Sequence, residues 1–229
     1  MGGTDDGGLL SALRLADSFL PVGSYTLSYG LETFVEEDRV ADADDLRGLL
    51  ADYLRGQVGP CDMVALSVAH RAAREGDRER LARIDDRLHA TLLAREFRES
   101  SLTSGKRLLD VVAGERAFVD EYAAQVGDSV RGHFPTALGV VTARKGLSER
   151  EARLVCGYAF VTGLLGAAQR LLRLGHSEVQ RVLHGLFPVI EDVEREAAGR
   201  GLEALRSCTP LIDVQGMCHE RADRRLFVS

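Results

Sequence analysis

Three short stretches of this chain hold residue types whose spacing could support chemistry. Ser104-Gly105-Lys106 ends like a phosphate-binding loop. Such a loop needs a glycine five residues before its glycine–lysine pair and a hydroxyl residue directly after the lysine. Ser100 and Arg107 stand at those positions, and no strand pattern precedes them, so nucleotide binding here is set aside. Cys208, Cys218 and His219 form a second group, two thiols and an imidazole near the C-terminus. That soft donor set suits a nickel(II) ion. No fourth ligand follows at metal-site spacing. The reading adopted is therefore no metal site, with Cys218 as a small interface residue and His219 as a hydrogen bonder. Asp85 and His89 form the third group, sharing a helix face at i, i+4; they are expected to be a solvated polar pair.

Other reactive types are less promising. Cys156 lies inside an apolar run, where burial raises a thiol pKa and makes it inert. No Gly-x-Ser-x-Gly elbow is present. A catalytic set assembled in space from distant residues stays open as a rival, because triads are recognised by geometry. Glu36, Glu37, Asp38, Asp42, Asp44 and Asp45 crowd together. They read as a solvated, helix-capping edge, or as a surface that steers a basic partner.

The elements that must position these residues are helical. Of 229 residues, 45% are apolar and 28% charged, which is ordinary globular usage. A chain of this length buries enough surface to fold without a disulfide or metal staple. A net charge of −6 argues against nucleic acid as a partner. Lys106 and Lys145 are the only lysines, so the cationic surface is almost all arginine, which suits protein interfaces. Compositional bias gives the same arginine excess. Cys61, Cys156, Cys208 and Cys218 include no Cys-x-x-Cys pair, and residues 1–8 lack the pattern of a secretory signal. A cytosolic protein with free thiols is expected. The apolar run 154–168 is too short to span a bilayer comfortably and reads as a buried helix, so no membrane association is expected.

Along the chain, 1–8 reads as a disordered tail and 9–19 as a helix stopped by Pro21. A Pro-Gly turn then leads into a helix over 27–37. Asp42 to Asp45 cap a helix whose Leu46, Leu49, Leu50, Tyr53 and Leu54 share one face. Gly59-Pro60 is expected to break it. Further helices fit 61–75, 77–93, 95–113, 115–131 and 136–144. Ser148 and Glu151 form a capping box that opens a buried helix over 149–173. Its small residues Ala152, Cys156, Ala159, Gly163 and Ala167 form a seam for another helix or for plain core packing. A helix over 177–199 contains Pro188, a place to kink. After Thr209-Pro210 no long amphipathic period continues. The expected architecture is all-α: a single bundle of about eight to ten helices over 9–209, with a flexible C-terminal tail over 210–229.

Three segments resemble one known family in order along the chain. Leu20-Pro21-Val22-Gly23-Ser24-Tyr25-Thr26-Leu27-Ser28-Tyr29-Gly30-Leu31-Glu32 is similar to the N-terminal signature of the urease accessory protein UreF. The block Ala167–Gln180 resembles that family's Ala-x-Arg-Leu-x-x-Leu-Gly-Gln-x-x-Gln stretch, with His176 where glutamine is usual and Val179 where glycine is common. Residues 217–229 resemble its Met-x-His-Glu…Ser-Arg-Leu-Phe-x-Ser ending, with Arg224 at a common serine position.

The resemblance implies an all-helical, cytoplasmic homodimer that is not an enzyme and carries no cofactor. It implies an accessory role in nickel incorporation into urease. The partners implied are UreD (also called UreH), the GTPase UreG, whose activity it would modulate, and apo-urease. Partner contacts are expected from Tyr25, Glu32, His219, Glu220, Arg221, Arg225, Leu226 and Phe227. Arginine and aromatic residues dominate interface hot spots, and ordering a tail calls for a sizeable partner surface. Arg225 could also serve as an arginine finger toward a partner GTPase. The rivals are a direct nickel carrier using Cys208, Cys218 and His219, a helical-bundle enzyme, and a helical scaffold unrelated to urease.

Overall fold

The carboxylate of Asp42 accepts the amides of Asp44 and Asp45 at 2.9 and 3.0 Å, and so opens a helical run that ends only at Glu75. The structure, a computed structural model, describes residues 6–22 and 30–219, without the side chains of residues 218 and 219. Its helices are α1 (Asp6–Ala16), α2 (Leu31–Glu36), α3 (Ala43–Tyr53), α4 (Val64–Glu75), α5 (Arg78–Thr91), α6 (Arg95–Val111), α7 (Ala117–Ala123), α8 (Phe134–Arg144), α9 (Glu149–Leu171), α10 (His176–Ala197) and α11 (Pro210–His219). A π-helical segment, Leu54–Met63, joins α3 to α4, and a 3-10 turn, Leu202–Ala204, follows α10. An all-α bundle is what the periodicities require, and among the described residues no strand forms beyond an isolated bridge between Val126 and Val130.

Pro60 does not break the helix, contrary to the sequence expectation. It removes one donor from the hydrogen-bond ladder. The chain answers by widening to π-helical i to i+5 spacing rather than by stopping. An extended strap over 205–209 then lies along the widened turn. The amide of Cys208 donates to the Gly56 carbonyl at 2.9 Å, and that of Arg206 to the Pro60 carbonyl at 3.2 Å.

Short, apolar α8 sits between α4 and α6, with Ala137, Leu138, Val140 and Val141 buried. The sequence is apolar nearly all round here, which suits a helix enclosed by others. The Ser148–Glu151 capping box forms as expected and starts α9. α9 is long and apolar enough to cross a membrane, but half of its most apolar window is buried against other helices, as in a core helix. Arg153 on α9 and Glu194 on α10 form a buried ion pair at 2.6 Å, and a second guanidinium nitrogen donates to Ser67 on α4 at 3.0 Å. α10 runs through Pro188 as one element.

Three boundaries differ from the sequence reading. α1 begins at Asp6, inside the stretch expected to be a tail. α7 ends at Ala123, because 124–130 close into tight turns around Gly127. Residues 210–219 are helical, as set out below.

Candidate functional site

The first segment that carries the family resemblance packs against α11, the helix that runs into the third. Gly30, with φ of +76°, precedes α2, and a Cβ there would come within 3.4 Å of the Gly216 amide nitrogen on α11. At Gly216 a Cβ would sit 2.8 Å from the Phe97 ring of α6, so only glycine lets α11 lie this close. The Gln215 amide group donates to the Glu37 carboxylate at 2.8 Å, tying α11 to the end of α2. The strap over 205–209 delivers the chain to this corner, where the Thr209 hydroxyl donates to Asp213 at 3.2 Å. Burial raises the Asp213 pKa, and that hydrogen bond partly offsets the rise.

α11 has two faces. Ile212, Asp213 and Gln215 are buried against α2 and α6. Leu211, Val214 and Met217 are 48%, 52% and 37% exposed and recur every third residue, an apolar row on solvent. Beside it lies an open groove of about 430 Å³ lined by Phe34, Leu49, Asp52, Arg55, Arg206 and Cys208. The sequence reading ended the pattern at Pro210. That is corrected: Pro210 occupies the first helical position, where a missing N–H costs nothing. The three-residue spacing of Leu211, Val214 and Met217 was the available signal.

Of the expected contact residues, Glu32 is described; it is 2% exposed, in the first turn of α2. His219 ends α11, with its side chain outside the described residues. Tyr25, Glu220, Arg221, Arg225, Leu226 and Phe227 lie outside them altogether. Of the candidate nickel-carrier set, Cys208 is exposed on the groove, while the side chains of Cys218 and His219 are not described. Among the described residues no group of three His, Cys, Asp or Glu side chains could hold a metal ion.

The remaining chemical candidates resolve into packing. Ser104-Gly105-Lys106 lies within α6, and a Cβ on Gly105 would be 2.0 Å from the Gly132 carbonyl oxygen, so that glycine serves close approach. Asp85 and His89 are not a solvated pair. Asp85 is fully buried and accepts the amides of Gly132 and His133 at 2.8 and 3.2 Å and the Tyr122 hydroxyl at 3.3 Å. It anchors the start of α8 from α5, and burial raises its pKa against those hydrogen bonds. His89 Nδ1 lies 3.1 Å from Nε2 of His133, whose ring is fully buried. The distant partners 132–133 were invisible to an i, i+4 argument. Cys156 is buried and its thiol pKa is raised by burial, as expected. In the α9 seam, Cys156, Ala159 and Gly163 line a cavity, while Ala152 and Ala167 are buried in the packed interior.

The UreF family model matches residues 40–187. The urease accessory protein UreF of Trichodesmium erythraeum is 37% identical over 225 residues, covering 96% of each chain. UreF 1 of Brucella melitensis biotype 1 is 30% identical, covering 97% of this chain and 93% of the relative. UreF of Yersinia enterocolitica is 30% identical, covering 96% of this chain and 97% of the relative. With the helical architecture in place, and with these matches spanning nearly the whole chain, the chain belongs to the UreF family of urease accessory proteins.

Proposed function

We propose that this protein supports nickel incorporation into urease by displaying a docking corner, α2 and α11, that bridges UreD (UreH) and the GTPase UreG. The observation that carries this reading is the solvent-facing row Leu211, Val214 and Met217 on a helix whose other face is buried. An apolar row held on a fixed helix fits the helix-in-groove mode of recognition. The segment that follows supplies further anchors, His219, Glu220, Arg221, Arg225, Leu226 and Phe227. Tyr25 joins them from the N-terminal turn. Glu32, buried in α2, shapes the corner rather than touching a partner. In this reading the protein acts as a homodimer on apo-urease, modulates GTP turnover by UreG, and carries out no bond chemistry of its own.

The test is co-purification of the full chain with UreD. Changing Leu211, Val214 and Met217 together to serine should abolish capture of UreD while helical content stays unchanged. Undiminished capture by the folded triple variant would overturn the reading. Arg225→Ala, assayed for UreG binding and for GTP turnover separately, divides recruitment from a finger role. Lost binding indicates recruitment, and lost turnover with intact binding indicates a finger.

A further inference from the structure

The π-helical segment does more than accommodate Pro60. Gln57 and Asp62 are five residues apart, which on an α-helix would turn them about 140° away from each other. Hydrogen bonds spaced i to i+5 bring such residues onto one side instead. Both line a cavity of about 60 Å³ between the π-helical segment, α6, α9 and the end of α1. Its apolar walls include the rings of Phe97, Phe134 and Phe160, and its other polar groups include the hydroxyls of Ser101 and Ser104. Gln57 is 3% exposed, and its Oε1 has no hydrogen-bond partner. An unpartnered buried carbonyl costs roughly 1–3 kcal/mol, a cost a ligand would remove. Exposed Asp17 and Ser18 also line the cavity, so it reaches solvent beside the end of α1.

We propose that this cavity binds a small monovalent cation of the ammonium class, held by the Asp62 carboxylate and the Gln57 carbonyl oxygen. Its size limits the ligand, because about 60 Å³ is room for only a few water molecules. A hydrated divalent ion keeps several waters and does not fit. Among the described residues no group of three carboxylates, thiolates or imidazoles is placed to replace those waters. The Asp62 carboxylate balances one positive charge inside the cavity, while exposed Asp17 sits at its mouth. An ammonium ion brings four N–H donors, which match a carboxylate, an orphan amide oxygen and serine hydroxyls. Ring faces attract what positive charge remains. Asp62 is held ready for such a ligand, since burial pushes its pKa up to about 7 and an arriving cation would draw it to the charged form.

The experiment is calorimetric titration of the full-length protein at pH 8 with ammonium chloride, and separately with potassium chloride and nickel chloride at matched ionic strength. Saturable binding of about one ammonium per chain is expected, with no comparable site for potassium. Asp62→Asn and Gln57→Leu should each weaken it about tenfold or more. The wild type at pH 6 should also bind more weakly, since Asp62 is then mostly protonated. That arm needs no variant to fold. Absence of saturable ammonium binding, equal binding of potassium, nickel held at the same residues, or affinity unchanged at pH 6 would each overturn the proposal. UreD capture is independent of every arm, so this site and the docking corner fail or survive separately.

Discussion

The Gly56 carbonyl takes the Cys208 amide at 2.9 Å, four residues before a proline that has no N–H to offer it. One residue thus governs two elements: Pro60 widens the helix, and the widened helix holds the strap that leads into α11. A Cβ on Gly56 would lie 2.7 Å from Cγ2 of Thr209 and 2.8 Å from the Cys208 carbonyl oxygen. Gly56→Ala should therefore push the strap away while the bundle stays folded. Hydrogen exchange at the Arg206 and Cys208 amides should rise about tenfold, equivalent to one lost hydrogen bond. Unchanged protection would show that the strap is held elsewhere.

The pair Arg153–Glu194 joins α9 to α10, with side chains 6% and 3% exposed. Removing one member strands a buried charge, at a cost of about 3–5 kcal/mol. Arg153→Ala should lower the melting temperature by about 6–20 °C for a chain of this size. Replacing both residues by apolar ones of similar volume should restore much of that loss. Thermal melts of the two variants check both outcomes.

Asp62 gives a defined pH signature. Its folded pKa, about 7, is above the usual 3.8, so the folded state holds the extra proton between those values. Its contribution is complete below about pH 4 and is lost as pH rises through 7. Asp62→Asn should therefore gain on the wild type as pH rises from 4 to 8. The gain is on the order of 3 kcal/mol, reduced by whatever solvent the cavity admits. Urea denaturation across that range reads the difference.

His133 runs the opposite way. Burial, then His89 and the charges of Arg131 and Arg98, push its pKa down to about 3 from 6.5. The unfolded chain binds the proton first, so stability present above about pH 6.5 is lost as pH falls toward 3. His133→Leu should flatten that acid limb by on the order of 4 kcal/mol, even if its stability at pH 7 is lower. Only the slope decides, and an unchanged slope would assign the acid limb to other groups.

Much of the fold was legible locally. Asp42 and the Ser148–Glu151 box start their helices where side-chain oxygens can meet free amides, and Leu46, Leu49 and Leu50 mark their buried face. These effects reach only a turn or so along the chain, and sequence spacing captures that range. The proline at 60 misled for the same reason, since the Gly56 carbonyl at the widened turn is taken by a strap about 150 residues away.

The sequence by itself determined the helical class, most helix positions and, through three ordered segments, the family. The tertiary structure decided what those residues meet. It set Asp85 under the start of α8, His133 against His89, Gly30 beside Gly216, and Gln57 with Asp62 around one cavity. Helix starts depend on neighbours within a few residues, whereas burial, orphaned carbonyls and shifted pKa values depend on atoms brought together only when the helices pack.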